Sequence, residues 1–144
     1  MITWVLAWLA GVIGLLPVLA DPVKALRASL AAMFAFTAVS HFVQQTRADL
    51  LRMVPPALPR PDLLVSLTGL LELAGAIGLV WGGPWHRTAA IALALLLVAM
   101  FPANAYAARA GLVIGDRRAM SLGPRAAIQL YWIACLCEVA YRGR

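Results

Sequence analysis

Charge is scarce in this sequence. Only 12% of its 144 residues are Asp, Glu, Lys or Arg, where a soluble domain carries about 25%. No hydrophilic stretch is long enough for a separate soluble domain, so a single domain is expected over residues 1–144. Cysteine is nearly absent. Cys135 and Cys137 are spaced C-x-C, which on a helix turns them about 200° apart at ~100° per residue. This is neither a C-x-x-C redox pair nor a zinc half-site. With two histidines there is no multi-histidine haem arrangement, and no flavin fingerprint is visible. The chain therefore lacks the parts of a self-sufficient oxidoreductase, and no residue is assigned a catalytic role or a metal.

What fills the chain is apolar: 63% hydrophobic residues and a mean hydropathy of +0.86. A soluble domain of this length holds about 45–50% apolar residues. The composition is that of an integral membrane protein, all-α, a polytopic bundle in a lipid bilayer. The net charge of +6 does not point to nucleic acid, because the basic residues lie between apolar runs. Lys and Arg in such places anchor loops at lipid headgroups.

Five apolar runs are read as spans, about 2–20, 23–45, 63–81, 86–106 and 126–141. The first, Ile2–Ala20, has no Lys or Arg before its core, so it reads as a transmembrane helix and not as a signal peptide. Gly11, Gly14 and Pro17 suit it to close packing or a kink. Asp21-Pro22 is a helix start. The second span ends in Thr37, His41 and Gln44 or Gln45, at i, i+4 and i+7 or i+8, one stripe of one helix that should face protein or water. Between Thr46 and Asp62, four prolines forbid a continuous helix, yet Leu50, Leu51, Met53, Val54 and Leu58 keep the connector apolar. It is expected to fold back onto the bundle as a lid, with Arg47 and Arg52 at the headgroups.

Asp62 is expected to cap the third span, Leu63–Trp81, which carries Glu72 near its centre. A lone acid at that depth costs several kcal/mol unless paired, protonated or wetted. Gly69, Gly75 and Ala76 beside it let a neighbouring helix approach closely. Gly82-Gly83-Pro84 makes a turn, with Trp81 and Trp85 at the interface. Pro102 in the fourth span frees carbonyls near Val98. Gly115-Asp116 and Gly123-Pro124 are turn signals. In the last span Glu138 and Arg142 form an i, i+4 ion pair.

Strict alternation puts the connectors 46–62 and 107–125 on one side of the membrane, side A. His41, Gln44, Gln45, Ser66, Thr68, Asn104 and Gln129 all fall in the side A half, with Glu72 the deepest. The side B halves are almost purely apolar until the final charges. The candidate ligand-binding or proton-handling residues are thus Glu72, His41, Asn104, Gln129, Gln45 and Thr68. Glu72 is either a buried strut held by His41, Asn104 or Gln129, or an acid in a pocket open toward side A. The orientation rules conflict: side A carries more Lys and Arg, which favours the cytoplasm, whereas Lys24 and Arg27 after an uncharged first helix argue the reverse.

Ser40-His41-Phe42, Met53-Val54-Pro55-Pro56-Ala57-Leu58-Pro59, Leu67–Leu79 (LTGLLELAGAIGL) and Leu95–Asn104 (LLLVAMFPAN) resemble the DoxX-like family of small bacterial membrane proteins. The resemblance covers roughly Val23–Tyr141. It implies a four-helix core in the bacterial cytoplasmic (inner) membrane, to which the first helix is an addition. The family's name comes from a subunit of an archaeal thiosulfate:quinone oxidoreductase, and most members have no established activity. A more distant similarity connects it to sterol-isomerase and sigma-2-receptor-like four-helix proteins, which hold acids in an intramembrane pocket. The resemblance implies a membrane subunit or accessory protein of a redox or quinone-linked system, with a quinone or lipid bound but no cofactor attached covalently. Two alternatives stand beside it: a stand-alone binder or isomerase of an apolar, sterol- or quinone-like molecule, and a structural or assembly protein without a ligand. The expected partners are the bilayer, a redox partner subunit and, through the small-residue face of the first helix, a second copy in a homo-oligomer.

Overall fold

The computed structural model describes residues 21–81 and 83–142. The expected helix Ile2–Ala20 and Gly82 lie outside the described residues. Five helices and one short hairpin make up the rest: α1 (Pro22–Ser40), α2 (Gln44–Met53), α3 (Pro61–Val80), α4 (Trp85–Arg109), β1 (Val113–Ile114), β2 (Arg117–Arg118) and α5 (Leu122–Arg142). Helices α1, α3 and α4 are long and apolar enough to cross a membrane. Their outward faces are apolar as well, with Phe36 77% and Leu95 64% exposed, as a lipid-facing surface requires.

The four long helices pack in the order α1, α3, α4, α5, with α5 returning to α1. Asp21 caps α1, its carboxylate accepting from the Val23 and Lys24 amides, and Pro22 opens the first turn. The dry core occupies the side B half: Leu30 and Phe34 of α1, Leu79 of α3, Leu93 of α4, Leu136 and Val139 of α5 are all fully buried. Gly75 and Gly78 set the α3–α4 distance. A Cβ at Gly75 would lie 2.4 Å from Leu93 Cδ2, and one at Gly78 would lie 2.7 Å from Ala89 Cβ.

The second span differs from its expected form. It does not run to Gln45. Helix α1 stops at Ser40, a turn follows through Val43, and α2 begins at Gln44. No Gly or Pro marks the break. Its cause lies in side chains that take the last carbonyls of α1: the Thr46 hydroxyl donates to Ser40 O at 2.6 Å, and Arg47 Nη1 donates to His41 O at 2.9 Å. Helix-end carbonyls need such partners when the end is buried.

Helix α3 likewise starts earlier than Asp62. Its N-cap is Arg60, in the left-handed region at φ 53°, and Pro61 opens the first turn. Asp62 sits inside that turn, and its carboxylate lies 3.7 Å from Arg47 Nη2. Gly123 and Pro124 do not form a turn either, since both belong to the first turn of α5. Pro is well tolerated there, because first-turn amides have no intrahelical acceptor.

The two side A connectors meet. Asp49 of α2 accepts the Gly115 amide at the hairpin turn (2.8 Å) and pairs with Arg52, which donates to the Val113 carbonyl at 2.7 Å. The Gly115 N–H, and then Arg52, hold the Asp49 carboxyl below the usual carboxylate range. A depressed acid contributes its stabilisation above the ordinary pKa of 3.8 and loses it as the pH falls through the lowered value. The Gly115 amide resonance is therefore expected to shift on acidification below about pH 4, and Asp49→Asn to abolish the transition. A Gly115 signal indifferent to acid would disprove the docking.

Candidate functional site

Two polar clusters occupy the side A half of the bundle, and one cavity touches both. The first surrounds His41. This residue caps the C-terminus of α1 and lies against Gly69, where an added Cβ would come within 2.6 Å of His41 Cβ. The bare backbone of Gly69 is what lets the imidazole lie on α3. Its Nδ1 is 2.7 Å from the Val65 carbonyl oxygen. A carbonyl only accepts, so Nδ1 carries a proton and Nε2 is turned toward Glu72. Nε2 and Glu72 Oε2 are 3.6 Å apart, with both side chains about 95% buried. Oε2 has no hydrogen-bond partner, and the Thr37 hydroxyl is the other polar neighbour of the carboxyl group.

The pair is electrically neutral in either of two forms. Glu72 carries the proton beside a neutral imidazole, or a carboxylate faces an imidazolium. One proton moving between Oε2 and Nε2 interconverts them with no net charge buried. A single unpaired ion at that place would carry the full desolvation cost. Arg47 fixes the arrangement from above. Besides the His41 carbonyl it donates to Ser66 Oγ (3.0 Å) and to the Asp62 carbonyl (3.2 Å), so it ties the end of α1 to the start of α3.

The second cluster joins α4 to α5. Asn104 Nδ2 donates to Gln129 Oε1 at 2.9 Å, and Arg125 Nη1 donates to Asn104 Oδ1 at 2.8 Å. Gln129 Nε2 donates to the Leu97 carbonyl at 2.6 Å. Pro102 interrupts the backbone bonding of α4 in this turn, and the Gln129 amide satisfies a carbonyl beside the interruption.

The cavity, about 170 Å³, lies between the clusters. Its polar wall is His41, Thr68 and Asn104, and the rest is apolar. Met53, Val54 and Leu58 from the end of α2 and the proline-rich segment close it on side A, in the position expected of the lid. A cavity of ~150 Å³ holds one benzene-sized ring. Thr68 donates to the Leu64 carbonyl at 2.9 Å and stands 3.3 Å from His41 Nδ1.

Of the six residues singled out from sequence, His41, Thr68 and Asn104 face the cavity together. Glu72 is not in its wall and lies behind His41, so the pocket is built on the histidine and backed by the acid. Gln129 reaches the cavity only through Asn104. Gln45 does not belong to the site. The break after Ser40 puts it on the exposed outer face of α2, off the stripe of His41. Sequence reasoning placed Arg47 and Arg52 at the headgroups; both donate to protein acceptors, and so does Arg125. Their signal was a cation within a few residues of a helix end. Among the described residues no group of His, Cys, Asp and Glu is placed to hold a metal ion.

A family model described as "Domain of unknown function (DUF8561)" matches residues 30–140. The chain belongs to the DUF8561 family. The match runs from Leu30 in α1 to Ala140 in α5 and includes the cavity and both polar clusters. No curated protein and no solved structure matches the chain.

Proposed function

We propose that this DUF8561 protein is a multi-pass membrane protein that holds the ring head of an apolar, quinone-like molecule. It would act as a membrane subunit or accessory protein of a quinone-linked system in the bacterial inner membrane. The observation that carries the reading is the ring-sized side A cavity, apolar apart from His41, Thr68 and Asn104. A ring carbonyl there meets one donor still available, the second N–H of Asn104, since the His41 Nδ1–H is held by the Val65 carbonyl. A ring hydroxyl meets the Thr68 oxygen. In this reading α5 is a further span and Ile2–Ala20 a fifth. The likeness of the MVPPALP, LTGLLELAGAIGL and FPAN stretches to DoxX-like proteins supports the same assignment.

The test is mass spectrometry of lipids and quinones that co-purify with the full chain, followed by titration with a short-tailed benzoquinone. A ring compound should co-purify. Thr68→Val and Asn104→Leu should each weaken benzoquinone binding about three- to tenfold, the loss of one net hydrogen bond. Ala103→Phe, which fills the cavity, should abolish binding. A preparation free of ring compounds, with benzoquinone binding indifferent to Ala103→Phe, overturns the proposal. A co-purifying sterol-like species would transfer the site to that ligand class.

A further inference from the structure

The opposite end of the bundle carries a second, chemically different concavity. It measures about 570 Å³ and is bounded by the start of α1, the α3–α4 turn, the start of α4 and the end of α5. Its wall holds four fixed cations, Lys24, Arg27, Arg87 and Arg142, together with His86, against the single carboxylate of Asp21. Two of the cations are engaged: Lys24 Nζ is 3.7 Å from Asp21 Oδ2, and Arg142 Nε is 2.6 Å from Glu138 Oε1. Arg27 and Arg87 have no hydrogen-bond or ion-pair partner among the described residues.

The position of this site matters as much as its charge. Trp81, Trp85 and Tyr141 stand at the same end of the bundle and are 61–73% exposed. Such aromatics settle at the headgroup level of a bilayer. A concavity between helices at that level, lined by two guanidinium forks uncommitted among the described residues, matches the oxygens of a phosphate group. Basic pockets between transmembrane helices bind anionic lipid headgroups in this manner.

We propose that this side B concavity is a phosphate-binding site, with Arg27 and Arg87 as its principal ligands and Lys24 and Arg142 completing the positive wall. The phosphate comes from an anionic phospholipid headgroup or from free phosphate, and the two sources are separable. The site is independent of the quinone-like reading, since it shares no residue with the side A cavity.

The experiment uses the full chain in nanodiscs of phosphatidylcholine with increasing phosphatidylglycerol. Native mass spectrometry counts the phosphatidylglycerol retained, and the thermal transition is followed in parallel. Wild-type protein should retain phosphatidylglycerol and melt later as its fraction rises. The Arg27→Gln/Arg87→Gln pair should lose about thirtyfold in retention, roughly fivefold per cation. A control pair, Arg117→Gln/Arg118→Gln, removes the same charge from the side A hairpin and should lose little. In pure phosphatidylcholine, inorganic phosphate at constant ionic strength tests the other source. A higher melting temperature with phosphate than with chloride assigns the site to the free ion. Equal losses in the two arginine pairs would show diffuse surface attraction and overturn the proposal. So would a wild-type transition indifferent to both phosphatidylglycerol and phosphate, a readout that needs no variant to fold.

Discussion

His41→Leu is expected to destabilise the protein by about 3 kcal/mol or more, with Glu72→Leu in the same background restoring most of the loss. His41 and Glu72 are about 95% buried, and Nε2 and Oε2 stand 3.6 Å apart. Removing one member of a buried ionisable pair leaves the other unsatisfied, at a cost of about 3–5 kcal/mol. Removing both replaces the pair by apolar volume, which is often neutral or stabilising. The Val65 carbonyl loses its Nδ1–H partner in either case, at about 1 kcal/mol, so recovery should be incomplete. Reversible unfolding in detergent, run as a double-mutant cycle, gives the coupling directly. Additive costs would show that the two groups do not share a proton or an interaction. Losing the pair should also show its cost in function. The recovered double variant is expected to be stable and yet weaker than wild type in benzoquinone binding, because His41 is part of the cavity's polar wall.

Gly69→Ala should cost about 1–3 kcal/mol and at the same time disrupt the His41 site. The added Cβ would lie 2.6 Å from His41 Cβ, 2.8 Å from His41 Cγ and 3.1 Å from Phe42 Cε2. Contacts that short force a shift, and overpacking of this size costs that amount in well-packed proteins. His41 Cβ is one bond from the backbone, and Arg47 holds the His41 carbonyl. The strain therefore cannot be relieved by rotating a long side chain, and the end of α1 must move off α3. Nε2 is expected to separate from Glu72, and the cavity should widen on the Thr68 side. The measurable result is a lower unfolding midpoint together with weakened benzoquinone binding. Gly75→Ala is the control. Its Cβ meets the Leu93 side chain 2.4 Å away, far from the cavity, so it should destabilise without a direct effect on the site. Equal binding losses in the two variants would mean that loosened packing, and not displacement of His41, governs the ligand.

Composition and hydropathy were enough to read the helical membrane class, because a bilayer demands long apolar helices and little else satisfies their backbones. The α3–α4 turn at Gly83-Pro84, the cap at Asp21, the Glu138–Arg142 pair and the close approach of a neighbouring helix at Gly69 and Gly75 all follow from local rules. Alternation of apolar runs was enough to bring His41, Thr68 and Asn104 to one side, and depth alone marked Glu72 as needing a partner. The tertiary structure decided what local rules do not encode. Helix α1 ends at Ser40 because Thr46 and Arg47 reach back to its last carbonyls, and no glycine or proline announces such a stop. That break removed Gln45 from the site and turned α2 across the cavity. Burial behind His41, and not exposure to the cavity, became the position of Glu72, since the Gly69 notch lets the imidazole lie between the acid and the opening. Asn104 was drawn to Gln129 and Arg125 and away from Glu72, because those partners come from α5, whose place against α4 depends on packing over the whole length of the bundle.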